Sequence, residues 1–163
     1  LEAPERAGRQ GMRFINIGAL LGLREWRSEA FFVALHGRYL QDLFPHAEIS
    51  VSAPRLRPHL GSYDSGITVS DADLVQYITA LRLFAPRLGI TVSTRESADF
   101  RDHLIPLGVT RMSAGSTTAV GGHTTQDADC SQFDIADNRS LREMMDVLCA
   151  RDYQPILKDW MPI

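Results

Sequence analysis

An arginine and a glutamate stand at the end of a short apolar run in the middle of the chain. The run is LGITVSTRE, residues 88–96, in which Ile90 and Val92 alternate with small polar residues before Arg95 and Glu96. This alternation predicts a strand with one buried face. Ligands of parallel α/β sheets lie at the carboxyl ends of the strands. A guanidinium at such an end, beside hydroxyl groups, can hold an amino-acid carboxylate through two parallel hydrogen bonds.

Glu96 has three possible roles at this position. It can hold Arg95 in one rotamer, it can receive the ammonium group of a substrate, or it can form a simple ion pair, which is the favoured interpretation. The residue types alone leave these roles open.

The same arrangement occurs three more times along the chain. Short apolar segments that predict strands are followed each time by Gly, Pro, Arg or Ser; they are Phe14–Gly18, Glu48–Ser52 and Gly108–Ser113. Because parallel strands present their carboxyl ends to one edge of a sheet, we expect the residues after all four strands to lie close together.

Helical patterns separate these strands. Residues 24–44 carry an apolar stripe and end at Pro45, which cannot continue a helix; the stripe is Trp26, Ala30, Val33, Leu40, Leu43 and Phe44. Ser70 predicts the N-cap of a second helix; its expected buried face is Leu74, Ile78, Leu81 and Phe84, with Tyr77 beside them. A short helix is predicted around Ala98–Leu104. Ser140 with Glu143 forms a capping box for a last helix, to about residue 150.

Strands alternating with helices are typical of a parallel sheet. Four such units predict an α/β fold equivalent to half of an eight-stranded barrel, with a C-terminal helix and an extended tail, YQPILKDW. Half a barrel leaves two sheet edges unpaired, so we expect a missing partner. The polar residues 1–12 predict a linker from a missing N-terminal half, and residues 13–163 predict the half-barrel itself. Residues 114–137 predict a long loop that is functional or disordered.

Composition sets broad limits on function. The chain has 163 residues, 44% hydrophobic content and a net charge of −3, which predict one domain with a sizeable core and no nucleic-acid or membrane partner. The absence of a long apolar run and of a signal sequence predicts a cytoplasmic protein. Cys130 and Cys149 are 19 residues apart and predict free thiols. The five histidines lack metal-ligand spacing, so no metal site is predicted.

Several colinear motifs resemble the 2-iminoacetate synthase family, the radical SAM tyrosine lyases of thiamine thiazole biosynthesis. They are NIGALLGLREWRSEAFF, SAPRLRP, STRES with FRDHLIPLG, MSAGSTTAVGGH and the terminal KDW, and the resemblance runs from Arg13 to Trp160. It implies strands five to eight of a TIM-type radical SAM barrel, including the region associated with biotin and thiamine synthesis. The related hydrogenase maturation enzyme carries a C-terminal extension with a second cysteine cluster that has no counterpart here.

The resemblance implies a cofactor site and a substrate site. S-adenosylmethionine is expected near Gly18, Leu20 and Gly22, because the two glycines have no Cβ and let the adenine approach the backbone. An ordinary turn is the alternative. One of Arg55 and Arg57 is expected to reach a cofactor carboxylate or ribose, unless both are solvated or structurally paired.

For the substrate, the resemblance implies that Arg95 orients L-tyrosine. Ser113 and Ser116 offer hydroxyl groups and leave room for a ligand, or else form a capped turn. Gly121, Gly122 and His123 resemble the family's loop after the last strand, with histidine where tyrosine is commoner.

The implied activity of the parent is S-adenosylmethionine-dependent cleavage of L-tyrosine to 2-iminoacetate (dehydroglycine) and 4-cresol. It requires a 4Fe–4S cluster on a Cys-x-x-x-Cys-x-x-Cys loop, which this sequence lacks. We therefore expect the segment alone to be inactive, and its partners to be the N-terminal half-barrel, the thiazole synthase and an electron donor. The alternatives are a non-catalytic half-barrel that pairs with itself or a partner, and a small cluster-independent enzyme acting on an amino or keto acid.

Overall fold

Four parallel strands form one sheet with helices packed against it. The computed structural model describes residues 2–57, 65–118 and 134–157, and the sheet order is β1-β2-β3-β4. The strands are β1 (Phe14–Gly18), β2 (Glu48–Ser52), β3 (Gly89–Val92) and β4 (Arg111–Met112); the helices are α1 (Glu2–Arg9), α2 (Trp26–Leu43), α3 (Asp71–Phe84), α4 (Ala98–Leu104) and α5 (Leu141–Ala150). A 3-10 turn, Ile105–Leu107, follows α4. The predicted α/β class is confirmed, while closure into a barrel stays a prediction.

The sheet has one apolar and one polar face. The register aligns Ile17, Val51 and Ile90 on the face toward the helices, where Gly37 of α2 lies against Val51 and Leu88. Apart from Phe14 at its edge, the opposite face carries small or polar residues, namely Asn16, Gly18, Ser50, Ser52, Gly89, Thr91 and Arg111. A closed TIM barrel usually fills its interior with bulky apolar residues. The polar face of this sheet differs from that pattern.

Helices α2 and α3 begin and end close to the predicted positions. Ser70 caps α3 and forms a capping box with Asp73, and Leu74, Tyr77, Ile78 and Leu81 are buried. The prediction that Leu43 of α2 and Phe84 of α3 are buried is wrong, because these residues are 42% and 48% exposed. Both are the last residues of their helices.

The first residues contain a helix that their polar composition did not predict. Helix α1 has ion pairs between residues four apart, Arg6 with Glu2 and Arg9 with Glu5, which support an isolated helix turn. Gly8 is buried against the ring of Phe44, and a Cβ at Gly8 would lie 2.5 Å from the nearest atom of that ring. The end of this stretch therefore packs on the domain. The domain boundary at residue 12 stays a prediction.

The elements at the carboxyl end of the chain agree with the sequence except for β4. Helix α4 covers Ala98–Leu104 as predicted, and Ser140 with Glu143 forms the predicted capping box of α5. Strand β4 is two residues long, whereas the predicted strand ran from Gly108 to Ser113. Gly108 adopts a positive φ of 96° and closes the preceding 3-10 turn instead, a backbone conformation that favours glycine.

Candidate functional site

The chain segments that follow β1 and β2 run side by side beyond the two strands. Leu21 and Arg55 form a parallel bridge. The Leu21 amide donates to the Pro54 carbonyl at 2.8 Å, and the Leu56 amide donates to the Leu21 carbonyl at 2.8 Å. These bonds bring the Arg55 segment beside the predicted cofactor segment, residues 18–22.

Arg55 and Glu96 form a buried ion pair at the ends of β2 and β3. Arg55 is 5% exposed and Glu96 is 1% exposed. The Arg55 Nε donates to Glu96 Oε1 at 3.0 Å and its Nη2 donates to Oε2. The Nη1 donates to the Val69 carbonyl at 2.9 Å, and Nη2 also lies 2.7 Å from Asp71 Oδ1. Burial opposes the Arg55 cation, but its bonds to Glu96 and Asp71 outweigh this effect and raise the pKa of Arg55.

Arg57 also donates a hydrogen bond to the Glu96 carboxylate. Its Nη2 donates to Glu96 Oε2 at 2.6 Å, so both oxygens of Glu96 are bound by guanidinium groups. This is the ion pair that the sequence left as one of three roles for Glu96, and it is made with Arg55 and Arg57. The structural pairing of these two arginines was likewise among the alternatives.

Arg95 lies next to this cluster at the end of β3. The residue is half-buried, and its backbone amide donates to Ser93 Oγ at 3.4 Å. Burial lowers the pKa of Arg95, and the negative charge of Glu96 partly offsets that shift. An arginine remains charged near neutral pH under such conditions. The predicted placement of Arg95 at a strand end is confirmed, and its role toward a substrate stays a prediction.

Ser113 and Ser116 follow β4, the neighbour of β3 in the sheet. Both are half-buried. The Ser113 amide donates to the Val92 carbonyl at 3.3 Å, which extends the β3–β4 pairing by one residue. The structure therefore brings the segments that contain Arg95 and Ser113 to adjacent strand ends, as the sequence predicted.

Two of the predicted cofactor residues have structural reasons to be glycine. A Cβ at Gly18 would collide with the Ser52 carbonyl oxygen and would lie 2.6 Å from Ser52 Oγ. Gly22 has a φ of 104°, which L-residues with side chains rarely adopt. Gly18 is itself exposed on the polar face of the sheet and Leu20 is half-buried, so this segment offers backbone and apolar surface to a ligand.

A buried ion pair that the sequence did not predict joins helix α4 to the segment before α5. Arg101 of α4 and Asp137 are 0% and 1% exposed and pair directly with each other. A signal was present, because Arg101 shares the spacing of Leu104 and Ile105 on the buried side of a short helix.

Arg111 makes a second contact that the sequence did not predict, on the polar face of the sheet. Its Nε donates to Glu48 Oε1 at 3.1 Å, and its guanidinium carbon lies 4.2 Å from the centroid of the Phe14 ring. This side chain therefore reaches from β4 across the sheet to residues of β2 and β1. Burial lowers the pKa of Arg111.

Some predicted features lie outside the described residues. They are the loop motif Gly121, Gly122 and His123, the thiol of Cys130, and the terminal KDW. Cys149 is a free, exposed thiol. Within residues 2–57, 65–118 and 134–157, no cluster of three or more His, Cys, Asp or Glu side chains could hold a metal ion. Across those same ranges, no helix has the length and apolar character to span a membrane.

A 4Fe–4S cluster does not fit this chain, because the sequence has only two cysteines, 19 residues apart, and such a cluster takes three or four thiolates. S-adenosylmethionine fits in part. Exposed backbone at Gly18 and the side chain of Leu20 are open to a ligand, whereas Arg55 is fully engaged by protein groups.

Comparison with known proteins gives one family match. The family model described as "Biotin and Thiamin Synthesis associated domain" matches residues 52–154. This region includes β3, β4, α5 and the Arg55–Glu96 pair.

Two curated relatives match almost the whole chain. The 2-iminoacetate synthases of Salmonella typhimurium strain LT2 and Escherichia coli strain K12 are each 41% identical over 161 residues, 98% of this chain. The match covers 43% of each relative, so the chain spans less than half of their length. The resemblance to 2-iminoacetate synthase is confirmed.

Two solved structures share the fold. The FeFe-hydrogenase maturase HydG from Carboxydothermus hydrogenoformans is 36% identical, with a TM-score of 0.80 over 98% of this chain and 36% of that one. A second HydG structure is 34% identical, with a TM-score of 0.78 over 93% of this chain and 33% of that one.

Proposed function

Because the chain belongs to the Biotin and Thiamin Synthesis associated domain family, we propose that it is the C-terminal part of a radical SAM tyrosine lyase. In this proposal the whole protein cleaves L-tyrosine to 2-iminoacetate and 4-cresol for the thiazole of thiamine. The observation that carries it is the 41% identity to 2-iminoacetate synthase over 98% of the chain. S-adenosylmethionine, bound with a 4Fe–4S cluster held elsewhere in the whole protein, supplies the radical chemistry.

The residues of this chain bind and orient the substrate. Arg95 holds the tyrosine carboxylate in two parallel hydrogen bonds, which set the direction of the amino group. Ser113 and Ser116, after the neighbouring strand, add hydroxyl contacts to the same ligand. Support comes from the half-burial of Arg95, because partial removal from water strengthens a charged hydrogen bond.

Glu96 acts on the site through the arginines. It neutralises Arg55 and Arg57 and thereby fixes the loops after β2 and β3 relative to each other. Gly18 and Leu20 contact the cofactor through backbone and apolar surface. Of the two arginines proposed for the cofactor, Arg57 is the better candidate, because its side chain is 32% exposed whereas that of Arg55 is 6% exposed.

Other parts of the whole protein complete the sheet. A groove of about 600 Å³ lies beside β4 and is lined by apolar side chains, among them Met112, Met144 and Ile156. An N-terminal half-barrel that pairs with β4 would cover it. The thiazole synthase and an electron donor are the further partners of this proposal.

The test is substitution of Arg95 in the intact parent enzyme after cluster reconstitution. Arg95→Ala removes the carboxylate clamp, and we expect the KM for tyrosine to rise about 10- to 100-fold, which corresponds to a lost charged hydrogen bond. Tyramine, which lacks the carboxylate, should bind equally to both forms. Arg87→Ala is the matched control, because Arg87 is exposed just before the amino end of the same strand.

An unchanged KM and rate in Arg95→Ala would remove Arg95 from the site. If the parent cleaves no tyrosine at all, the lyase proposal fails. A native polypeptide of 18.2 kDa in the source cell, detected with an antibody against this segment, would favour the alternative, a half-barrel that pairs with itself or with a partner.

A further inference from the structure

A short segment just before α5 bridges the ends of β3 and β4. This segment, residues 136–139, is here called the strap. The amides of Ala136 and Asp137 donate to the Thr94 carbonyl at 3.0 and 3.1 Å, and the Gly115 amide donates to the Arg139 carbonyl at 3.0 Å. One end of the strap is thus bonded to the residue before Arg95, and the other to the segment between Ser113 and Ser116.

The strap replaces strand pairing that β4 does not provide. The ladder between β3 and β4 ends at Val92 and Met112, followed by a single bond from the Ser113 amide. Past this point the two chain segments have no ladder between them. Their separation therefore depends on the strap and on whatever holds the strap in place.

Arg101 of α4 binds both the strap and the end of β4. Its Nη1 pairs with Asp137 Oδ2, and its Nη2 donates to the Ser113 carbonyl. One guanidinium thus contacts both the strap and the end of β4. Because Arg101 and Asp137 are almost fully buried, water does not compete for these bonds.

Arg139, which belongs to the strap, also forms an ion pair with the Asp137 carboxylate. Its Nη2 lies 2.7 Å from Asp137 Oδ2, and its Nη1 lies 2.9 Å from Asp102 Oδ1 on α4. The charges of Arg101, Asp137, Arg139 and Asp102 balance within the cluster. Arg151, whose side chain is 43% exposed, lies 3.3 Å from Asp102 Oδ2.

We propose that Arg101 and Asp137 are positioning residues that set the distance between the Arg95 and Ser113 segments, and thereby the fit of the tyrosine carboxylate. This inference rests on the proposed function, because the ligand between the two segments is the one proposed above. Neither residue touches the substrate. Their effect passes through Thr94 and Ser113, the backbone neighbours of the groups that do.

The test uses the reconstituted parent enzyme with Arg101→Lys and Asp137→Asn. A lysine keeps the charge but cannot contact Asp137 and the Ser113 carbonyl with two nitrogens. We expect the KM for tyrosine to rise by up to about 100-fold, the cost that a misplacement near 1 Å can have, while cofactor cleavage without tyrosine is unchanged. The preference for tyrosine over tyramine should fall by the same factor. Arg151→Gln is the control, and its kinetics should equal those of the unmodified enzyme.

The outcomes distinguish failure of this inference from failure of the proposed function on which it rests. A parent that cleaves no tyrosine overturns the function, and the inference with it. An active parent whose two variants keep the tyrosine KM and the tyramine preference overturns the inference alone. A lower kcat at unchanged KM, in step with a lower folded fraction, also overturns it, because that result describes a structural role only. Arg139→Gln, at a side chain 17% exposed, repeats the test where folding is less at risk.

Discussion

Arg55 and Glu96, 41 residues apart in the sequence, join the ends of β2 and β3 through a buried pair of hydrogen bonds. Arg57 shares the Glu96 carboxylate, and Asp71 shares the Arg55 guanidinium. The segment after β2, the first turn of α3 and the segment after β3 therefore meet in one network of charges. We expect the loss of a single member to shift all three.

Removing either partner of this pair should destabilise the fold strongly. Glu96→Gln leaves the buried Arg55 cation without its main counter-charge, and Arg55→Met does the converse, so we expect each to cost about 3–5 kcal/mol of unfolding free energy. Urea denaturation of this chain measures the change. Arg38→Ala, which breaks the exposed pair of Arg38 with Asp42, should change little.

The double variant Arg55→Met with Glu96→Leu tests whether the loss of stability comes from an uncompensated buried charge. It removes both charges together, so its cost should be clearly smaller than the sum of the two single costs. Additive costs would mean that the two side chains act independently, contrary to the structure.

Gly18→Ala should destabilise the sheet at the candidate cofactor segment. The new Cβ would collide with backbone of Ser52, which cannot move aside as a flexible side chain can, so we expect a loss of about 1–3 kcal/mol. Gly37→Ala is the contrasting variant, because its Cβ meets only side-chain atoms of Leu88 and Val51, the nearest at 3.3 Å, and alanine favours the helix. Equal effects of the two variants in thermal unfolding would contradict this account.

Asp137 should make the stability of the chain depend on acid pH. Burial opposes its charge, but hydrogen bonds from Arg139 and the charge of Arg101 outweigh that and lower the pKa of Asp137 from 3.8 to about 2. Because the folded pKa is the lower one, the stabilisation is fully present above pH 4 and is lost as the pH falls toward 2. It amounts to about 2 kcal/mol.

Comparison of the unmodified chain with Asp137→Asn isolates this contribution. The asparagine variant has no charge to lose, so the stability gap between the two should narrow by about 2 kcal/mol between pH 5 and pH 2. Urea titrations at a series of pH values measure the gap. A constant gap across this range would show that Asp137 has the same pKa in the folded and unfolded chain.

Local signals in the sequence were sufficient for the order of most elements. The N-cap at Ser70, the capping box at Ser140 and the limits of α4 are confirmed, because each depends on residues within one turn of the backbone. The alternation of Ile90 and Val92 likewise predicted the strand that places Arg95 and Glu96 at the edge of the sheet.

The sequence by itself determined the α/β class, the family resemblance and the placement of Arg95 and Ser113 after neighbouring strands. Only the tertiary structure decided which charges pair. The pairs Arg55–Glu96, Arg101–Asp137 and Arg111–Glu48 join residues 41, 36 and 63 positions apart. The physical reason is that a strand or helix period depends on adjacent residues, whereas the partner of a buried charge depends on which distant segments pack beside it.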